Sequence, residues 1–170
     1  MATLIAYYSR KGENYWAGGV KNIEKGNTER IAEFIAEATG GDLFEIDTVK
    51  EYAADYYECI DDAQAELRQG ARPEIEADVE NMDDYDTIFL GYPNWWGTCP
   101  MCVFTFLEGH DLSGKRIIPF CTSEGSGLGG SERDIKKACP GAKVERGLAI
   151  VGHKAAQSHD EVVAWARKFA

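Results

Sequence analysis

Thr87-Ile88-Phe89-Leu90-Gly91, followed by Tyr92-Pro93-Asn94-Trp95-Trp96-Gly97-Thr98, decides how this chain reads. The first five residues are a short apolar run closed by glycine, the pattern of a buried strand. The next seven place two neighbouring indoles, a stiff proline and a permissive glycine on a polar loop, and Pro100 then leads a helix. An indole carries a large flat surface and wants a partner for its N–H, so a pair at the C-terminal end of a strand suits a flat heteroaromatic guest. The competing reading packs both tryptophans into the core or an interface; adjacent residues on a turn seldom point into one core, which favours the guest.

Outward from that stretch, Leu4 to Tyr8 reads as a buried first strand ending at Ser9. Arg10 to Lys25 is longer than an ordinary strand-to-helix loop and predicts a functional flap or short hairpin. Gly26-Asn27-Thr28-Glu29 opens a helix with Ile31, Phe34, Ile35 and Ala38 at helical spacing, stopped by Gly40-Gly41. Leu43 to Val49 alternates as a second strand, Ala53 to Gln69 forms a second helix, and Pro73 to Asp86 is an acidic surface connection. Beyond the third strand, Thr87 to Gly91, come a helix after Pro100, a fourth strand over Lys115 to Cys121 and a helix from Gly130-Ser131 to just before Cys139-Pro140-Gly141. Lys143 to Val151 is the fifth strand, and His159 to Phe169 is an amphipathic final helix.

Five strands alternating with helices predict right-handed crossovers, and so an α/β fold of one parallel sheet with helices on both faces. In such sheets ligands sit beyond the C-terminal strand ends where the winding reverses. The loops after the first, third and fourth strands should therefore converge.

With 170 residues, the chain fits one domain spanning 1–170 with a full core. No apolar run is long enough for a bilayer, and the N-terminus lacks the pattern of a secretion signal. An odd, scattered set of five cysteines argues against a disulfide scaffold and for a reducing compartment, so a cytoplasmic location is expected. A formal charge of −11 repels nucleic-acid phosphates and anionic lipid and favours basic partner proteins.

The three loops carry complementary chemistry. Ser9, Arg10 and, across the inserted segment, Gly26, Asn27 and Thr28 outline an anion cradle at a helix N-terminus, where unpaired N–H groups and the helix dipole attract phosphate. A plain helix cap by Asn27 or Thr28 explains the same residues equally well. Pro93, Asn94, Trp95, Trp96 and Gly97 offer ring faces and close backbone approach. Thr122, Ser123, Glu124, Gly125, Ser126 and Gly127 supply main-chain donors free of bulky side chains.

Together, Tyr7-Tyr8-Ser9-Arg10 with Gly26-Asn27-Thr28-Glu29, Gly91-Tyr92-Pro93-Asn94-Trp95-Trp96-Gly97 and Thr122-Ser123-Glu124-Gly125-Ser126-Gly127 resemble the flavodoxin family, over nearly the whole chain. The resemblance implies a three-layer flavodoxin-like fold with strand order 2-1-3-4-5, a noncovalent FMN, and low-potential electron transfer to redox partner proteins with basic docking surfaces. It also implies that Trp95 or Trp96 stacks on the flavin, that backbone near Asn94 and Gly97 addresses N5, and that residues 122–127 address the pyrimidine edge. The chain departs from the family's compact phosphate motif, which is split here by the segment ending at Lys25.

Other readings compete. Cys99-Pro100-Met101-Cys102 is a C-x-x-C at a helix start, where the dipole can activate a thiol for disulfide exchange. An NAD(P)H-dependent quinone or flavin reductase on the same fold is a second alternative, although no G-x-G-x-x-G follows a strand. A flavin-free interaction module is a third. The histidines at 110, 153 and 159 show no metal-ligand spacing, and each reads as structural or solvated.

Overall fold

A computed structural model describes residues 2–170. Its main sheet is parallel, in the order β4 (Asp42–Glu45), β1 (Ala2–Tyr7), β5 (Tyr85–Pro93), β6 (Arg116–Ser123), with β7 (Lys143–Val144) and β8 (Leu148–Val151) sharing the last position beside β6. Counted by position this is the order 2-1-3-4-5 of the flavodoxin-like fold. Between β1 and the first helix, β2 (Gly12–Trp16) and β3 (Gly19–Ile23) pair as a separate antiparallel hairpin. The inserted segment is thus a hairpin outside the main sheet.

Strand alternation divides the core between two faces. Ile5 and Tyr7 of β1, with Phe89, Ile118 and Phe120, pack against Ile31 and Ile35 of α1 (Asn27–Thr39) and Val162 and Ala166 of α5 (His159–Arg167). Leu4 and Ala6, with Ile88, Leu90 and Ile117, face Val103, Phe106 and Leu107 of α3 (Met101–Glu108) and Ile135 of α4 (Ser131–Ala138). The same face receives Leu67 of α2 (Tyr56–Gln69), whose Cys59 and Ala63 are buried. Each such Ile, Leu or Phe contributes about 1.5–3 kcal/mol by leaving water. The hairpin has no fully buried residue and draws on no comparable term.

Gly91 is the point of closest approach in the sheet. A Cβ there would lie 2.2 Å from Cζ of Phe120, so only glycine lets that ring cross the strand.

Several boundaries differ from the sequence reading. The second strand ends at Glu45 because β1 ends at Tyr7; the chain beyond pairs instead with the acidic connection, through Val49 N–H to Glu74 O at 2.9 Å and a Thr48–Ile75 bridge. The second helix starts at Tyr56, since Asp55 caps it by accepting from Glu58 N–H at 2.9 Å. The fifth strand is split: Ile117 pairs with Val144 but Phe120 with Leu148, so one extra residue bulges opposite Pro119, which has no N–H for the ladder. Strands β5 and β6 run further than expected: Tyr92 and Pro93 pair with Cys121 and Thr122, and Ser123 pairs with Val151 of β8.

Candidate functional site

The loop after β5 is a tight turn whose ends pair as Trp95 N–H to Thr98 O (2.9 Å) and Thr98 N–H to Trp95 O (3.4 Å). Its two central residues, Trp96 and Gly97, have φ of +59° and +86°. Glycine accepts such an angle freely, whereas a bulky L-residue gives up roughly 1–2 kcal/mol. Holding Trp96 there sends the neighbouring indoles different ways. Trp95 is half-buried, edge-on to Tyr8 and Tyr52 with ring centres 5.2 and 5.1 Å away. Trp96 is 47% exposed, and its Nε1–H donates to Ile60 O of α2 at 2.8 Å. Strained backbone concentrated at a loop rim is characteristic of ligand clamps.

Asn94 joins this turn to the loop after β6. Its Oδ1 accepts from Gly97 N–H at 2.9 Å and its Nδ2 donates to Gly127 O at 2.7 Å. Within the second loop, Ser123 Oγ accepts from Gly125 and Gly127 N–H at 3.4 and 2.9 Å. Gly97, Gly125 and Gly127 therefore shape the two walls, with positive φ at each.

Neither Asn27 nor Thr28 caps the first helix. Gly26 occupies the N-cap position, and Ser9 Oγ reaches across to accept from Glu29 N–H at 3.0 Å. Gly26 is required here, because a Cβ would lie 2.0 Å from that hydroxyl. Arg30 N–H donates to Gly26 O, which leaves the N–H groups of Asn27 and Thr28 without a partner among the described residues. Thr28 Oγ1 shares a 2.8 Å hydrogen bond with Thr122 Oγ1, tying the helix start to the end of β6. Asn27 is only 8% exposed as a residue, and its side-chain amide bonds to nothing among the described residues. Since no sealed-in side-chain N or O lacks a partner, that amide opens into a cavity.

That cavity, about 380 Å³, is lined by Asn27, Pro93, Asn94, Trp95, Trp96, Thr122, Ser123, Glu124 and Ser126 of the residues singled out in the sequence. Its volume lies in the range of small-molecule sites. Sequence reasoning missed Tyr56, Ile60, Gly152 and Asn14, which complete the lining together with Tyr15. Glycine at 152 keeps the mouth open beside Asn27, as a Cβ there would lie 2.8 Å from Nδ2.

The predicted cradle is divided. Ser9, Arg10 and Gly26 line a second, larger cavity of about 710 Å³, together with Lys11 and the carboxylates of Glu13, Glu29, Glu45, Asp47 and Glu51. Those carboxylates repel a phosphate. Arg10 is committed elsewhere: Nε donates to Glu13 O at 2.8 Å, and Nη2 to Ala53 O and Ala54 O at 3.0 Å each. Its guanidinium anchors the hairpin to the segment before α2.

The thiol reading finds no support in the geometry. Cys99 and Cys102 are fully buried, and all five cysteines are free. Burial holds both thiols above their ordinary range, with neighbouring Cys121 adding to it at Cys99 and Glu66 at Cys102. A sealed, protonated thiol exchanges no disulfide. Among the described residues no cluster could hold a metal ion, and no helix is long and apolar enough to cross a membrane.

The comparisons agree with this architecture. The chain is 33% identical to a candidate flavoprotein from Bacteroides eggerthii, with a TM-score of 0.73 over 96% of this chain and 98% of that one. A similar structure from Bacteroides uniformis shows 30% identity and a TM-score of 0.76, covering 96% of each chain. A flavoprotein from Lactobacillus acidophilus in complex with FMN is 24% identical, with a TM-score of 0.66 over 92% of this chain and 97% of that one, a likeness of fold. No curated protein matches the chain. A flavodoxin family model matches residues 22–169, and with that span the chain belongs to the flavodoxin family.

Proposed function

We propose that the protein binds FMN in the cavity between Trp96 and Glu124 and acts as a low-potential electron carrier. The observation that carries this reading is the Asn27 amide: unpartnered among the described residues, beside two free helix N–H groups, and opening into the cavity that both indoles line. A phosphate fits that donor set, which combines the N-terminal N–H groups of a 13-residue helix with a neutral amide. Trp95, Trp96 and the 122–127 loop would flank the ring system. When bound, FMN supplies one- and two-electron redox chemistry that side chains cannot.

The residues around the site favour a strong reductant. Added negative charge is disfavoured in a chain of net charge −11 and beside the partly buried Glu124 carboxylate. Tyr15, Tyr56 and Ile60 restrict water from the α2 side. Exposed Tyr57 and Trp96 near the mouth, with Glu58, Asp61 and Asp62 exposed on α2, suit a basic redox partner protein with an apolar centre. The purified holoprotein should accept electrons from a photochemical reductant in separable one-electron steps and should not oxidise NADPH in steady state. Sustained NADPH turnover by the protein alone would replace the carrier with the reductase reading.

A further inference from the structure

The hairpin is attached by polar contacts at its two ends, which differ, and by the Tyr15 ring set against Tyr56 of α2 at 6.0 Å. At the base, Arg10 donates to Glu13 O, Ala53 O and Ala54 O, and Glu13 Oε1 accepts from Tyr56 N–H at 2.8 Å, so hairpin and α2 share a cap. At the tip, Ala17 and Gly18 form a two-residue turn with φ of +48° and +95°. Glu124 holds that turn: its Oε1 accepts from Ala17 N–H at 2.5 Å. The same carboxylate accepts from His153 N–H at 3.0 Å and meets His153 Nδ1 at 2.8 Å. The Trp16 ring lies tilted beside the imidazole at 6.3 Å, covered in turn by Lys21 Nζ at 4.6 Å. Between base and tip, Asn14 and Tyr15 face the cavity.

We propose that the Gly12–Ile23 hairpin is a strap across the cofactor cavity and that Glu124 is its latch. The inference rests on the FMN reading for what the strap retains, but not for the latch itself. Three elements meet at one carboxylate: the hairpin tip, the loop after β6, and the turn after β8 that carries Gly152 and His153. Release of Ala17 N–H frees the tip, and the strap then pivots on its Arg10 and Glu13 anchors. Because the hairpin lies outside the main sheet and has no fully buried residue, this opening leaves both cores intact. Glu124 is accordingly a positioning residue as well as a wall of the site.

The test uses the flavin-free full chain and its Glu124→Ala and Glu124→Gln variants. Hydrogen exchange of Ala17 and its hairpin neighbours, with tryptic cleavage after Lys21, reads the latch without any cofactor. Loss of a charge-assisted hydrogen bond should speed both about ten- to a hundredfold in Glu124→Ala, and less in Glu124→Gln, which keeps one acceptor oxygen. Exchange in β1, β5 and β6 should stay at the wild-type rate. FMN release, followed by fluorescence recovery on dilution, should quicken in the same order. Unchanged hairpin exchange in Glu124→Ala would overturn the latch; faster exchange with unaltered FMN release would overturn the strap. If wild-type protein fails to bind FMN, the functional reading fails, while the exchange data still decide whether Glu124 holds the tip.

Discussion

Replacing Asn27 by alanine should weaken FMN binding while leaving the flavin-free fold as stable as before. The side chain makes no hydrogen bond among the described residues, and the helix is capped by Ser9, so truncation forfeits no bond in the free protein. Removing an unpaired polar group from a residue that is 8% exposed returns a fraction of the 1–3 kcal/mol such groups cost, because the amide still touches the cavity. Alanine adds roughly 0.5 kcal/mol of helix propensity. The lost packing offsets these terms, and the net change should lie within about 1 kcal/mol, a Tm shift of roughly 2–4 °C. In the complex, a bond from this amide to a charged phosphate is worth about 1.5–3 kcal/mol, or roughly ten- to a hundredfold in Kd. Asn27→Asp separates the two effects further: a carboxylate in the first turn favours the free helix but repels the phosphate, so the apoprotein should gain stability as FMN affinity falls below that of the alanine variant. Riboflavin, lacking phosphate, should bind wild type and Asn27→Ala alike. Apoprotein melting curves and FMN titrations by fluorescence quenching measure both sides. A variant that melts more than about 5 °C lower yet binds FMN unchanged would show that Asn27 serves the fold and refute the reasoning.

Three further outcomes follow from the geometry. Gly91→Ala should cost about 1–3 kcal/mol or more and lower the melting temperature by several degrees, because its Cβ would overlap the Phe120 ring; adding Phe120→Leu should recover part of the loss. The folded protein should resist thiol reagents at neutral pH: burial pushes Cys59 and Cys139 up to about 11 and Cys121 to about 12, so rapid labelling of any of them without unfolding would contradict the buried placement. Burial opposes ionisation of Glu124, but Ala17 N–H and the N–H and imidazole of His153 outweigh it and hold the carboxyl below its ordinary range. A depressed carboxyl adds stability above its unfolded pKa that is lost as pH falls through the folded value. Acid unfolding should therefore be less steep in Glu124→Gln than in wild type, and identical curves would show that the pairing contributes nothing.

Much of the fold was legible because strand and helix periodicities are local. Leu4 to Tyr8, Thr87 to Gly91 and the stretch after Pro100 each announce themselves by apolar spacing, and their alternation leaves one economical topology. What escaped depends on partners distant in sequence. Nothing at Glu45 signals that β1 has ended at Tyr7, and nothing within Lys143–Val151 shows that Pro119, some thirty residues earlier in the chain, breaks its ladder. The site divides the same way. Asn27, Trp96 and the 122–127 loop were visible as residue types that fit a flavin, whereas Tyr56 and Ile60 reach the cavity only because α2 packs beside the Trp96 turn. Arg10 reads as an anion ligand from its charge; its carbonyl partners at Ala53 and Ala54 appear only once the chain has folded. His153, an unremarkable residue in sequence, gains its meaning from Glu124.

The most direct test of the account is a titration of flavin-free protein with FMN, followed by calorimetry and by quenching of flavin fluorescence. The account predicts saturation at one FMN per chain, with weaker binding of riboflavin and partial loss of affinity in Trp96→Ala. Protein that stays colourless and takes up no FMN at millimolar concentration would contradict it.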